Sequence, residues 1–343
     1  MRRALELAQH GRGSVSPNPM VGCVIVHDLG NVPTGRMLGE GWHRQYGGPH
    51  AEVNAIRAVS DADETLLPES TAYVTLEPCS HYGKTPPCAD LLIAKKIGRV
   101  VCCNDDPNPL VSGQGFAKLR AAGIDVITGL LAEEGRRLNA RFFTFFEQKR
   151  PHIILKWAET ADGFIGGVGA KPVAISGPLA SRLVHRWRSE EDAILVGTTT
   201  ARNDNPRLNV RHWPGTSPMR IVLDRSLTLP KNLHLFDGSQ PTRVYHKPAV
   251  ASPGDGPNPN LIYVPADSLE TLLTDLHRQR IQSVLVEGGA QTLTSFLEAG
   301  LWDEIRLFRS PNSLYDGVRA PQVRGKLADQ QQVDEDLLLV YRQ

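Results

Sequence analysis

Short apolar segments alternate with amphipathic helical segments along most of the chain, and this alternation limits the fold more than any other feature. In the first half, apolar strands are expected at Val21–His27, Ala72–Leu76 and Arg99–Asn104. Helices are expected between them, at Ala51–Ser60 and Cys88–Lys96. Such alternation is typical of a sheet that helices cover on both faces. The sequence therefore predicts an α/β fold.

A helix that ends in basic residues and is followed by a proline indicates a domain boundary near the middle of the chain. We expect one helix at Glu134–Lys149, and Pro151 follows it. An apolar strand then begins at His152. A chain of 343 residues, of which 41% are hydrophobic, is long enough for about two domains with separate cores. The predicted domains are residues 1–147 and 148–343.

The composition argues against large anionic partners. The formal net charge is +1 and aromatic residues make up 6% of the chain, so a basic, aromatic-lined groove for nucleic acid is not expected. No apolar run approaches the roughly 18 residues of a spanning helix, and the first residues have no signal-peptide core. We expect a cytoplasmic protein that binds a small molecule and neither nucleic acid nor a membrane. The sequence leaves the oligomeric state open, a homo-oligomer included.

Three short segments place metal-binding side chains next to prolines. The first reads PHAE and contains His50 and Glu52, the second reads EPC and ends at Cys79, and the third reads PPC and ends at Cys88. A catalytic zinc takes three protein ligands and keeps one position for water. One imidazole and two thiolates supply such a set. We therefore predict one Zn²⁺ per chain, held by His50, Cys79 and Cys88.

Glu52 is the predicted catalytic residue. Binding to zinc lowers the pKa of water from about 15.7 to about 7. A carboxylate beside the metal can then remove a proton and deliver one to a leaving amine. The pattern H-x-E followed by P-C is the signature of zinc deaminases, although eight residues separate the two cysteines here, where the signature has two. These residues predict a deaminase of a pyrimidine-type substrate.

Longer motifs around these residues have a specific resemblance. The stretches PNPMVGCVIV, GGPHAEVNAI and TLEPCSHYGKTPPCADLL closely resemble the bifunctional riboflavin-biosynthesis deaminase–reductase family, known as RibD. The resemblance extends over almost the whole chain. It implies an N-terminal cytidine-deaminase-like α/β/α sandwich and a C-terminal dihydrofolate-reductase-like α/β domain.

The resemblance also implies two consecutive reactions. The first is zinc-dependent hydrolytic deamination of 2,5-diamino-6-(5-phosphoribosylamino)pyrimidin-4-one. The second is NADPH-dependent reduction of the ribosyl group to a ribityl group. In the deaminase half, Asn18, His43 and Lys84 match family positions that line the substrate pocket. From the residues alone, Asn18 could equally be a turn residue between prolines and Lys84 a solvated lysine.

The segments AILVGTTTARNDNPRLNVR and SVLVEGGAQTLTSFL carry the resemblance in the reductase half. The substrate-contacting matches are Arg188, Leu208, Arg211 and Glu287. The cofactor-contacting matches are Ala158, Thr200, Asp204, Gly289, Ala290, Gln291, Thr292 and Leu293. Ala174 stands where the family usually has a tryptophan, which removes an aromatic wall near the cofactor. Without the resemblance, the glycine-rich turn could be only a tight strand-to-helix connection, and Arg188 a surface helix residue.

Two other functions compete with this interpretation. One is a deaminase of a nucleoside or RNA base with an inactive or sensory C-terminal domain. The other is a structural zinc module that senses a nucleotide, in which Glu52 is dispensable.

Overall fold

The computed structural model describes residues 1–28, 35–82, 86–109, 111–169, 173–254 and 258–343. These residues form two compact units, Met1–Gln148 and Lys149–Gln343. No helix among them is both long enough and apolar enough to cross a membrane.

The first unit is built on a five-stranded sheet in the order β2-β1-β3-β4-β5. Its strands are β1 (Gly22–His27), β2 (Arg36–Trp42), β3 (Ser70–Leu76), β4 (Arg99–Asn104) and β5 (Asp125–Thr128). Its helices are α1 (Arg2–Gln9), α2 (Ala51–Arg57), α3 (Cys88–Ala94), α4 (Gln114–Ala121), α5 (Ala132–Leu138) and α6 (Ala140–Glu147), with a 3₁₀ helix at Asp61–Glu69. Strand β1 is antiparallel to both of its neighbours, whereas β3, β4 and β5 are parallel.

Helices cover both faces of this sheet because successive strand side chains point in opposite directions. Cys23 and Ile25 pack in one buried cluster with residues of α2 and α3. Val24, which lies between them, packs with Leu7 of α1 on the opposite face. The predicted α/β/α sandwich is therefore confirmed.

The prediction of one continuous helix at Glu134–Lys149 is wrong. Two helices, α5 and α6, meet at Asn139, whose backbone leaves the helical conformation with φ −102° and ψ 28°. The Asn139 side chain is only 3% exposed. It accepts a hydrogen bond from Met20 N at 2.8 Å and donates one to Met20 O at 2.8 Å. The interruption between α5 and α6 therefore coincides with hydrogen bonds to Met20, a residue far away in the sequence.

The second unit has a nine-stranded sheet in the order β11-β10-β9-β8-β12-β6-β13-β16-β15. Its strands are β6 (His152–Glu159), β8 (Ala193–Gly197), β9 (Met219–Leu223), β10 (Thr242–His246), β11 (Leu261–Pro265), β12 (Ser283–Gly288), β13 (Glu304–Arg309), β15 (Lys326–Val333) and β16 (Asp336–Arg342). A small separate sheet pairs β7 (Phe164–Gly166) with β14 (Val318–Arg319). The helices are α7 (Pro178–Glu190), α8 (Thr198–Asp204), α9 (Leu269–Arg278) and α10 (Ala290–Glu298), with a 3₁₀ helix at His234–Phe236.

Helices cover both faces of this sheet as well. Leu285 of β12 packs in a cluster with residues of α7. Its neighbours Val284 and Val286 pack on the other face with residues of α9 and α10. The seven strands from β11 to β13 in this order are parallel to one another. Their carboxyl ends meet at one edge, which is where open α/β sheets bind ligands.

Candidate active sites

The predicted zinc ligands converge in the first unit. His50 is the residue before α2, Cys88 is the first residue of α3, and Cys79 follows β3. His50 Nδ1 lies 3.6 Å from Cys79 Sγ and 3.4 Å from Cys88 Sγ. The three ligand atoms all lie within 4.8 Å of one another. Two helix starts and one strand end therefore bring together side chains from distant parts of the sequence.

The donor set fits zinc. A tetrahedral zinc with bonds of about 2.3 Å to sulfur and about 2.0 Å to nitrogen separates those two atoms by about 3.5 Å, close to the distances found here. The hydrogen bond between the two thiols, together with His50, lowers the pKa of Cys79 well below its ordinary value. Cys88 N also donates to Cys79 Sγ at 3.3 Å. This environment favours the thiolate, the form that binds metals.

Glu52 lies beside these ligands, in the first turn of α2, and is only 3% exposed. Burial, followed by the nearby Cys79, raises the pKa of Glu52 to about 7. A carboxyl group with a pKa near neutrality can both accept and deliver a proton at neutral pH. Its position and burial are what a proton carrier at this site needs.

Asn18 and His43 form a hydrogen-bonded chain next to the ligands. His43 is 2% exposed, and its Nδ1 donates to Pro49 O at 3.0 Å. The other ring nitrogen, Nε2, then accepts from the Asn18 amide at 3.1 Å. The His43 ring also meets the His50 ring edge-on at 5.3 Å. Because both ring nitrogens of His43 are already hydrogen-bonded, His43 orients the Asn18 side chain. Lys84 lies outside the described residues.

The second unit contains a cleft of about 780 Å³ at the carboxyl ends of its parallel strands. Most of the residues predicted for the reductase half line it, namely Arg188, Arg211, Glu287, Ala158, Thr200, Asp204, Gly289, Ala290, Gln291, Thr292 and Leu293. Ala174 lines it too. Leu208 differs, because its side chain is 2% exposed and packs in a hydrophobic cluster with Ile194 and Val196.

Arg188 and Glu287 form a buried bidentate ion pair in this cleft. Arg188 Nε and Nη2 each donate to a Glu287 oxygen at 2.7 Å, and Arg188 Nη1 donates to Asn209 O at 3.1 Å. Although burial raises the pKa of Glu287, Arg188 and Lys156 outweigh it, and the pKa lies below its ordinary value. The structure thus pairs two residues that the sequence had assigned separately to the substrate.

The cleft lining includes charged or titratable residues that the sequence did not indicate, among them Lys156, His185 and Arg225. Burial lowers the pKa of Lys156, and Glu287 opposes this shift. A lysine inside the apolar strand HIILKW was a usable signal, since lysine is rarely buried unless it is paired. His185 Nδ1 accepts from Arg211 N at 3.2 Å. Arg225 follows β9, and nothing in its local sequence indicates a role.

Comparisons with known proteins agree with both halves. Residues 1–104 match the cytidine and deoxycytidylate deaminase zinc-binding region, and residues 151–338 match the RibD C-terminal domain. Riboflavin biosynthesis protein RibD of Aquifex aeolicus is 39% identical over 93% of this chain and 88% of its own length.

Two solved structures are also similar. Acinetobacter baumannii RibD superimposes with a TM-score of 0.88 at 36% identity, covering 99% of this chain and 97% of that one. The Thermotoga maritima diaminohydroxyphosphoribosylaminopyrimidine deaminase/5-amino-6-(5-phosphoribosylamino)uracil reductase gives a TM-score of 0.88 at 37% identity, covering 100% and 97%.

The fold and the two sites define a class of protein in which a zinc-dependent deaminase is joined to a reductase. Within that class, the chain belongs to the RibD family. It is a bifunctional deaminase and reductase of riboflavin biosynthesis, and its cofactors are zinc and NADPH. The alternative of an inert C-terminal domain is not favoured, since that half matches the family's own C-terminal domain.

Proposed function

We propose that residues 1–147 form the deaminase and residues 148–343 the reductase, acting in succession on one pyrimidine ribotide. The deaminase removes the 2-amino group of 2,5-diamino-6-(5-phosphoribosylamino)pyrimidin-4-one as ammonia. The reductase converts the ribosyl group of the product to a ribityl group. The observation that carries the proposal is the convergence of His50, Cys79 and Cys88 beside the buried Glu52.

In the deaminase, His50, Cys79 and Cys88 would hold zinc, which when bound would supply the Lewis acidity that makes water a nucleophile near neutral pH. Glu52 would accept a proton from the attacking water and deliver a proton to the departing nitrogen. The C–N bond breaks, a C=O bond replaces it, and ammonia leaves. Asn18, held by His43, and Lys84 bind the substrate.

In the reductase, NADPH supplies the hydride. Residues Gly289 to Leu293, at the start of α10, line the cleft, and the first backbone N–H groups of a helix suit a cofactor phosphate. Ala158, Thr200 and Asp204 contact the same cofactor. Arg188, Leu208, Arg211 and Glu287 serve the substrate, with Arg188 acting through its ion pair to Glu287. Leu208 contributes by supporting the cleft wall from within the core.

A coupled assay with the full chain tests the sequence of reactions. The diaminopyrimidine ribotide is supplied with NADPH, and ammonia and NADPH absorbance are followed together. Ammonia is expected first, followed by a fall in NADPH. Ammonia release without NADPH oxidation would remove the reductase half, and deamination of cytidine or tRNA in place of the ribotide would remove the substrate assignment.

Glu52→Gln tests the assigned proton carrier. We expect zinc to be retained and deamination to fall by about 10²–10⁴-fold, the usual contribution of a general acid–base group. Reduction of the deaminated pyrimidine is the internal control and should be unchanged. Deamination at the wild-type rate would instead support a structural zinc site.

The cellular setting is also a proposal. We propose that the enzyme works in the cytoplasm and binds neither nucleic acid nor a membrane. The net charge of +1 and the five cysteines, none of which forms a disulfide, support this. A homo-oligomer stays a prediction, which sedimentation of the purified chain would test. Tight binding to single-stranded RNA at physiological salt would contradict the proposal.

A further inference from the structure

Glu77 is a buried carboxylate two residues before the zinc ligand Cys79. It is not one of the clustered residues that could hold the metal, and it is 4% exposed. The two carboxylate oxygens accept hydrogen bonds from four backbone N–H groups. The donors are Asp106 at 3.2 Å, Gly113 at 2.9 Å, Gly115 at 2.9 Å and Phe116 at 3.4 Å. So many bonds to one side chain tie the Cys79 segment to a distant part of the chain.

Three of the four donors belong to the start of helix α4. The first N–H groups of a helix have no partner within the helix, and a side chain usually caps them. Gly113, the residue before α4, has no side chain with which to do so. Glu77 therefore caps α4 from another segment, and the positive end of the helix dipole favours a carboxylate there.

The packing between this helix start and the Cys79 segment is close. A Cβ on Gly115 would lie 2.0 Å from Pro78 O, nearer than real atoms approach. Glu77 N also donates to Asn104 O at 3.0 Å, which extends the pairing of β3 with β4. The backbone leading to Cys79 is thus held on both sides before the ligand is reached.

Cys79 is held from its other side by α3. Its carbonyl accepts from Ala89 N at 3.1 Å, and its sulfur accepts from Cys88 N at 3.3 Å. The ligand therefore sits between two helix starts, one of which also supplies the ligand Cys88. Glu77 is the side chain that connects the Cys79 segment to the start of α4.

We infer that Glu77 is a positioning residue for the zinc site, fixing Cys79 by binding the segment before it to the start of α4. The inference rests on the proposed zinc ligation by Cys79. Glu77 acts through the backbone and does not touch the ligand atoms. Residues that orient metal ligands typically contribute about 10–100-fold to metal affinity, and we assign Glu77 an effect of this size.

Glu77→Gln in the full chain is the first test. Glutamine keeps one acceptor oxygen but turns an NH₂ group towards backbone donors, so part of the cap is lost. We expect zinc affinity, measured by competition with a chelator, to fall about 10–100-fold. The Co²⁺-substituted protein should show a changed visible absorption spectrum, because that spectrum reports ligand geometry. NADPH-dependent reduction of the deaminated pyrimidine should stay unchanged.

A matched pair of glycine variants separates positioning from general loss of stability. Gly113 (φ +75°) and Gly123 (φ +83°) stand at opposite ends of α4, and an added Cβ at either would meet nothing within 4 Å. Alanine is strained at both, since left-handed backbone disfavours side chains. Of these two glycines, Gly113 donates to Glu77, whereas Gly123 lies at the far end of the helix. We expect Gly113→Ala to weaken zinc binding and Gly123→Ala to leave it unchanged, even if both lower the unfolding temperature alike.

The outcomes distinguish this inference from the proposed function. Zinc affinity within twofold of wild type in both Glu77→Gln and Gly113→Ala, with unaltered Co²⁺ spectra, overturns the positioning role. The pair of glycine variants decides the matter if Glu77→Gln does not fold. Cys79→Ala tests the ligand itself: undiminished zinc affinity there would overturn the ligation on which the inference rests. If zinc binding is lost in Cys79→Ala but not in the other variants, Cys79 is a ligand and only the positioning role of Glu77 is overturned.

Discussion

At the scale of single residues, the charged side chains of the cleft are oriented and neutralised by the residues next to them. Arg188 and Glu287 are paired by two bonds of 2.7 Å, and Lys156 lies in the same charged group. Removing one partner of a buried pair leaves the other charge uncompensated, which is costly. Arg188 therefore fixes the orientation of Glu287, and two further cations, Arg211 and Arg225, also line the cleft.

Arg225 is expected to favour NADPH over NADH. It follows β9, two strand positions from β12, which ends at Glu287 and Gly288. Strands lie about 4.8 Å apart, so the end of β9 stands two strand spacings from the end of β12, where Glu287 is assigned to the substrate. A hydrogen bond to a charged group contributes about 1.5–3 kcal/mol, which is roughly 10–150-fold. Arg225→Gln should reduce kcat/KM for NADPH by about this factor and leave NADH nearly unaffected; equal losses with both coenzymes would argue against it.

His185 is expected to make the second unit less stable in mild acid. Burial, with Arg188 and Arg211 nearby, lowers its pKa from 6.5 to about 4. Between those values the unfolded chain binds more protons than the folded one, so the free energy of unfolding falls as the pH drops from 6.5 to about 4. Denaturant unfolding at several pH values would measure the slope, at most about 1.4 kcal/mol per pH unit from this group.

His185→Gln is the matched control for this pH effect. Glutamine can still accept from Arg211 N but does not titrate. The variant should therefore show a shallower dependence on pH over the same window. Parallel slopes in the two proteins would rule His185 out as the cause.

At the scale of helices and strands, several ends are completed by side chains from other segments. Glu77 caps α4, and Asn139 at the junction of α5 and α6 binds both backbone groups of Met20. Such contacts join elements that are distant in sequence. They make element boundaries depend on tertiary contacts as well as on local preference.

Asn139→Ala is expected to destabilise the first unit by about 2–6 kcal/mol. The substitution leaves a buried N–H and a buried C=O of Met20 without partners, and each costs about 1–3 kcal/mol. Urea unfolding of the full chain would measure the loss. Asn139→Asp, which keeps the acceptor but not the donor, should lie between alanine and wild type, and the exposed Glu133→Gln should change little. A loss below about 0.5 kcal/mol in the alanine variant would contradict this account.

At the scale of the whole molecule, the chain has two units, each with its own hydrophobic clusters. The zinc ligands lie in the first, and the cofactor cleft lies in the second. A ligand that binds only the folded form stabilises the unit that holds it. Each cofactor should therefore act on a different unfolding transition.

Calorimetry of the full chain tests this separation. A zinc chelator should lower the unfolding temperature of the first unit, and NADPH at about 100 times its Kd should stabilise the second by about 2.7 kcal/mol. Tryptophan fluorescence reports mainly on the second transition, because four of the five tryptophans lie in that unit and only Trp42 lies in the first. A single transition that responds equally to both treatments would show that the units unfold together.

Much of this protein can be derived from local patterns. The alternating apolar runs predicted an α/β fold, and the segments containing His50, Glu52, Cys79 and Cys88 predicted the zinc deaminase. Both are confirmed, as is membership of the RibD family. These features are readable because burial periodicity and motif spacing lie within short stretches of chain. The individual substrate and cofactor contacts remain predictions.

Other properties depend on contacts between residues far apart in the chain. Glu77 meets Gly113 across 36 positions, Arg188 meets Glu287 across 99, and Asn139 meets Met20 across 119. No local pattern specifies such partners, because hydrogen bonds and ion pairs form only once the fold has brought the groups within about 3 Å. The sequence therefore determined the type of fold and the reactive residues, whereas only the tertiary structure determined which contacts hold each reactive residue in place.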